Sequence, residues 1–265
     1  MAFFVIGGNA GTSATVVIAN SVAAIDPHSN RVIADIQVGG GPSWIAAGAG
    51  SVWVLNERDQ TISQIDPRTH RLVRTFAVSA ATPFALTVAE GSLWVADARS
   101  KSVLRLDAQG VVVERTPLFS RRFWRLIKHT QGIGGSVWLA EGSTNGVARV
   151  DPTTGTHTLV NIGSSATTLS AVAVGGGSVW AADIGTNQLW QIDPGQAAAI
   201  RAIPVGQDPL GVAFGAGSVW VANAADGTVS RIDPQQGKAT ATISLGQTTP
   251  SRLALANGLI WATVD

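Results

Sequence analysis

The sequence predicts an all-β fold, a six-bladed β-propeller with four-stranded blades whose last blade is closed by the N- and C-terminal strands. Two observations carry this prediction: a unit that recurs about every 41 residues, and chain ends that match complementary halves of one unit. Trp53, Trp94, Trp138, Trp180, Trp220 and Trp261 stand 40 to 44 residues apart. Around them the chain reads GAGSVWVLN, AEGSLWVAD, IGGSVWLAE, GGGSVWAAD, GAGSVWVAN and ANGLIWATV. Eleven residues before the tryptophan stands proline in four copies (Pro42, Pro83, Pro209, Pro250), with Ile127 and Leu169 in the other two. Thirteen residues after it comes Asp66, Asp107, Asp151, Asp193 or Asp233, followed by proline in every copy but the second.

Each unit holds four short apolar runs broken by Gly, Pro, Asn and Asp, with no sustained helical period. In the first, the runs Ile45 to Ala47, Val52 to Leu55, Thr61 to Ile65 and Leu72 to Val78 are expected as strands A to D, from channel to rim. The glycines before each Ser-Val-Trp supply the positive φ of a tight A–B hairpin. The Asp-Pro-x-Thr-Gly of 151–155 is a turn signal, with proline presetting φ and aspartate bonding the backbone.

Residues 21–38 match the outer two strands of a unit and 250–265 the inner two, so together they make one blade and leave no open edge. The propeller is therefore expected over 21–265, with 1–20 as an N-terminal extension or linker remnant. Residues 1–8 are apolar but too short to span a bilayer and lack a basic leader, so no membrane insertion is expected. The absence of cysteine excludes disulfides, thiolate catalysis and Cys-based zinc sites. A charged fraction of 13% and a net charge of +1 provide no global field for nucleic acid or an anionic membrane.

The units P-x-x-[IL]-A-x-G-x-G-S-V-W-V-x-N and T-[IV]-S-x-I-D-P-x-T resemble the bacterial YVTN or YncE-like propeller repeats over residues 21–265. That resemblance implies the propeller and, as its functions are diverse, no particular activity. The segment VVIANSVAAIDP also resembles the junction at which such propellers follow a membrane helix in larger bacterial sensors. On that basis an extracytoplasmic, monomeric sensor or interaction module is expected, taking an unknown small molecule or protein on its loop face. The strand pattern W-[VF]-[AT]-[ED] is also similar to the streptogramin lyase propellers, which implies a His and Glu pair with magnesium. Of His28, His70, His129 and His157, the first, second and fourth fall in or beside outer C–D turns, leaving His129 with Glu141 as the pair for such an enzyme.

Departures from the repeat mark the candidate site. Three residues after the tryptophan stand Asn56, Asp97, Glu141, Asp183 and Asn223. They read either as caps of the B–C loops or, through Asp97, Glu141 and Asp183, as a ring for a divalent cation. No cofactor is required by this pattern. The third unit lengthens its D-to-A connection into PLFSRRFWRLIKHTQ, where Arg121, Arg122, Trp124, Arg125, Lys128 and His129 would grip an anionic or aromatic ligand, or pack as a solvated loop. Two residues after the Pro42 frame come Trp44, Ala85, His129, Ala171, Gly211 and Arg252. If these face the channel, then Trp44, His129 and Arg252 surround one pocket, with Phe84, Asp208 and Ser251 beside them. If the pleat turns them, they line the interface between blades.

Overall fold

A computed structural model describes residues 15–80, 82–89, 91–107, 109–117, 132–133, 136–141, 146–151, 154, 156–163 and 167–265. Every regular element among them is a strand. The chain begins with β1 (Ser21–Asp26) and β2 (Arg31–Gln37). Sheet 1 follows as β3 (Pro42–Gly48), β4 (Ser51–Asn56), β5 (Thr61–Asp66) and β6 (Arg71–Ala77), each within a few residues of the expected runs. Sheet 2 is β7 (Pro83–Ala89), β8 (Ser92–Asp97), β9 (Ser102–Leu106) and β10 (Val112–Pro117). Sheet 3 is β11 (Gly132–Ile133), β12 (Ser136–Glu141), β13 (Gly146–Val150) and β14 (His157–Asn161). Sheet 4 is β15 (Leu169–Gly175), β16 (Ser178–Asp183), β17 (Gln188–Asp193) and β18 (Ala198–Pro204). Sheet 5 is β19 (Pro209–Gly215), β20 (Ser218–Asn223), β21 (Thr228–Asp233) and β22 (Lys238–Ser244). The chain ends with β23 (Pro250–Ala256) and β24 (Leu259–Val264).

The two ends form a sixth sheet in the order β2-β1-β24-β23, with Ser21 opposite Val264 and Ala24 opposite Trp261. Every sheet is an antiparallel meander, so A–B and C–D turns lie on one face and B–C and D–A loops on the other. The innermost strands pack in series: β15 on β19, β19 on β23, β23 on β3, and β3 on β7. This is a β-propeller of four-stranded blades.

Local chemistry explains the turns. Ala49 and Gly50 both hold positive φ, as do Ala216 with Gly217 and Asn257 with Gly258, which is the two-residue hairpin matched to strand twist. In the C–D turns the aspartate caps the backbone: the N–H groups of Arg68 and Thr69 donate to Asp66, and those of Gln235 and Gln236 to Asp233. The same turn at Asp26 takes the N–H of His28 and the N–H and hydroxyl of Ser29, which hold that carboxyl at about 2.

The core lies between sheets. Trp220 packs with Ile25, Ile260 and Ala262 of the sixth sheet, Trp261 with Ile45, Val52 and Ile65 of sheet 1, and Trp180 with Val212 and Val221 of sheet 5. Each indole is a wedge that removes on the order of 200 Å² from water. Its N–H donates to the carbonyl five residues earlier, as from Trp220 to Gly215 at 3.0 Å, so the ring also braces its own A–B hairpin. On that face the sheets are latched to one another. Arg231 donates to the Pro27 carbonyl at 2.7 Å, Arg201 to the Pro234 carbonyl at 3.0 Å and Asn257 to the Pro67 carbonyl at 3.3 Å.

Candidate functional site at the channel mouth

The face carrying the B–C and D–A loops holds the sequence-predicted candidates that the structure describes. Asp97 and Asp183 end β8 and β16, and both are buried. Asp183 accepts the N–H groups of Thr168 (2.8 Å), Gly185 (3.0 Å) and Trp190 Nε1 (3.1 Å) and the Thr186 hydroxyl (2.6 Å). Asp97 accepts the Thr82 N–H at 2.9 Å, the Arg99 N–H at 3.3 Å and the Ser100 hydroxyl at 2.7 Å. Both carboxylates thus tie the D–A loop to the B–C loop of one sheet.

Asn56 and Asn223 occupy the same place in sheets 1 and 5 with a different solution. Their amides donate to hydroxyls of the next strand, Asn56 to Thr61 and Ser63, Asn223 to Thr228 and Ser230, all at 2.9 to 3.0 Å. The D–A loop is instead held by an aspartate three residues further on, Asp59 accepting the Gly40 N–H at 2.6 Å and Asp226 the Gln207 N–H at 2.8 Å. Sequence reasoning missed this exchange, although its signal was present: N-x-x-D-x-T-x-S at 56–63 and 223–230, against D-x-x-[ST] at 97–100 and 183–186.

Among the described residues no three His, Asp or Glu side chains gather as a metal site. The described carboxylates Asp97 and Asp183 are committed to N–H and O–H donors of their own loops. Glu141 ends β12, but its side chain lies outside the described residues, as do Arg121, Arg122, Trp124, Arg125, Lys128 and His129 altogether. The described histidines are found where the sequence placed them, with His28 and His70 in C–D turns and His157 opening β14.

The structure brings Trp44 and Arg252 together. Both are half-buried, each the third residue of an innermost strand, and each of those strands bulges at this end. The Arg252 guanidinium lies over the Trp44 ring, 4.8 Å from its centroid. Its Nη1 donates to the Leu210 carbonyl of sheet 5 and to the Ser251 carbonyl at 3.3 Å. The side chain therefore bridges sheet 5 to sheet 1 across its own sheet. Burial draws its pKa below the usual guanidinium value, and the Glu57 carboxylate opposes that shift. Among the described residues the same layer otherwise carries Ala85, Ala171 and Gly211, on sheets 2, 4 and 5. A Cβ on Gly211 would stand 2.5 Å from the Ser251 carbonyl oxygen and 3.0 Å from the Arg252 Cα, so only glycine lets β23 approach β19 this closely.

Beside this pair a cleft of ≈ 560 Å³ opens between sheets 5 and 6, lined by Asp208, Leu210, Ala224, Asp226, Gln247 and Thr249. Leu210 belongs to both features, its carbonyl holding Arg252 and its residue lining the cleft. The arrangement is a guanidinium held by an aromatic ring and two carbonyls, in a layer whose other described members are alanine and glycine.

A β-propeller of four-stranded blades with a candidate binding site on its B–C and D–A loop face is the class that fold and site define. The chain belongs to the virginiamycin B lyase family, whose model matches residues 6–265. Solved structures share the fold at low identity. A streptogramin B lyase is 17% identical over 91% of this chain and 80% of its own, with a TM-score of 0.55. A catalytically inactive histidine-to-alanine variant of virginiamycin B lyase from Staphylococcus aureus, solved with quinupristin, is 16% identical over 91% and 81%, also at 0.55. A chain of a nidogen/laminin complex is 10% identical over 90% and 98%, at 0.64. No curated protein matches the sequence. The resemblance to YVTN or YncE-like repeats is thus upheld as membership of a propeller repeat family, and the family shown is the lyase one. Among the described residues no helix is long and apolar enough to cross a membrane.

Proposed function

We propose that this chain is a six-bladed propeller that binds a small ligand at its channel mouth, as a non-catalytic sensor or interaction module. The observation that carries the reading is the Trp44–Arg252 pair, the two bulky departures among the described residues of a layer otherwise made of alanine and glycine. The blade count is supported by six four-stranded sheets and six tryptophan frames. A packing role alone would not require an arginine, since burying a guanidinium costs free energy that an aliphatic residue would avoid. A thermal-shift screen of anionic metabolites, glycans and divalent metals tests the reading, because a ligand of the folded state raises Tm by mass action. Hits that vanish in Trp44→Ala support it, and hits unaffected by that change place binding elsewhere.

A second reading, a lyase acting through His129 and Glu141, is favoured by the family match over residues 6–265. Incubation with quinupristin and magnesium tests it. Conversion by the wild type and its loss in His129→Ala would establish the enzyme, and no conversion would return the chain to the binding reading.

A further inference from the structure

The unused edge of Arg252 names the chemistry of the ligand. Nη1 is committed to the carbonyls of Leu210 and Ser251, and the guanidinium carbon lies over the Trp44 ring, 4.8 Å from its centroid. Nε and Nη2 have no protein partner among the described residues, and neither is a buried orphan, so both N–H groups reach the solvent of the channel mouth. These two nitrogens form the side of the guanidinium whose N–H bonds run parallel, the spacing that matches both oxygens of one carboxylate. Arg252 is also fixed in advance. The Trp44 ring and the carbonyls of Leu210 and Ser251 hold the fork, and Gly211 lets the backbone of its strand come close enough for the Leu210 bond, so little rotamer entropy is lost when it accepts a ligand.

We propose that the channel mouth recognises a carboxylate, held side-on by Nε and Nη2 of Arg252, with the apolar body of the ligand against the Trp44 side of the mouth. This inference rests on the channel-mouth reading above and adds the ligand class to it. The Glu57 carboxylate near Arg252 works against a second negative charge, so the fit is to a singly charged group in preference to a phosphate.

Calorimetric titration of the whole chain with benzoate, benzamide and inorganic phosphate tests the inference. Benzoate and benzamide share a ring and differ in the charged oxygen pair. Benzoate is expected to bind at least about tenfold tighter than benzamide, with Arg252→Lys lowering benzoate affinity by about tenfold and leaving benzamide unchanged. Circular dichroism melts of Arg252→Lys and Arg252→Gln identify variants that fold, and only those are compared. Phosphate binding tighter than benzoate would overturn the carboxylate assignment in favour of a tetrahedral anion. Equal binding of benzoate and benzamide, both lost in Trp44→Ala and kept in Arg252→Lys, would overturn the inference and keep the site. Binding indifferent to both residues would overturn the channel-mouth reading itself.

Discussion

Sheets 1 and 5 and sheets 2 and 4 solve the same local problem with the carboxylate in two different places. In sheets 2 and 4 the strand-end residue is itself the acid, Asp97 or Asp183, and Ser100 or Thr186 three residues later donates to it. In sheets 1 and 5 the strand-end residue is Asn56 or Asn223, and the acid has moved three residues on, to Asp59 or Asp226. An amide can donate, so Asn reaches forward to the hydroxyls at 61 and 63 or 228 and 230; a carboxylate can only accept, so Asp gathers N–H and O–H groups around itself. In all four sheets one acid pins the D–A loop. The four described members of the polar ring are thus caps, and function is to be sought where a residue has no counterpart in the other described sheets, as Trp44 and Arg252 have none among the described residues.

The largest expected effect comes from removing an acid that gathers donors. Asp183→Ala leaves three N–H groups, of Thr168, Gly185 and the Trp190 indole, without an acceptor, and should destabilise the fold by about 3 kcal/mol or more in urea unfolding. A loss below about 1 kcal/mol would mean that water replaces the carboxylate at no cost, and the capping account would fail. Exchanging the code is a subtler test. In sheet 5, Asn223→Asp alone puts a second carboxylate near Asp226, and Asp226→Thr alone removes the acceptor of the Gln207 N–H; each should cost about 1–2 kcal/mol. The double variant should recover about 1 kcal/mol relative to the sum, as a double-mutant cycle would read. Strict additivity would show that the two positions do not exchange roles.

The smallest effect separates the buried acids from those on the opposite face. Asp26 in its exposed turn is held at about 2, against an ordinary value of 3.8, chiefly by the His28 N–H. A folded-state pKa below the unfolded one means that the stabilisation is fully present above 3.8 and is lost as pH falls toward about 2. Asp66 and Asp233 are lowered in the same direction by N–H groups of their own turns, Arg68 foremost for the first and Gln236 for the second. The stability gap between wild type and Asp26→Asn should therefore narrow as pH falls from 4 to 2. Because the group is solvent-exposed the gap is small at every pH, and a gap that stays constant across this window would contradict the assigned cause.

How much of this was legible depends on whether a feature repeats. The strands, hairpins and tryptophan wedges recur in one frame, so the chain served as its own alignment: Trp53 to Trp261 marked strand B, and the matching of 21–38 with 250–265 gave the closure seen between β1 and β24. The pairing of Trp44 with Arg252 was legible because both broke the same frame position, 208 residues apart in the chain but on adjacent sheets. Their mutual geometry was not, because it depends on a bulge in each innermost strand that the pleat alone does not predict. Nor was the Leu210 carbonyl visible as a partner, since any residue supplies a carbonyl and only the approach over Gly211 selects this one. The cap exchange was written in the sequence, but comparing single positions across units hid it. It appears only when residues 56 with 59, and 97 with 100, are read in pairs.

On the proposed reading, ligand binds where the repeat is broken at the channel mouth and not on the capping ring or the latched face. A crystal structure of the chain with benzoate tests it most directly. The carboxylate is expected on Nε and Nη2 of Arg252, with the capping bonds of Asp97 and Asp183 unchanged. A ligand seated on those two acids, or among the C–D turns around Pro67 and Pro234, with Arg252 bare, would contradict it.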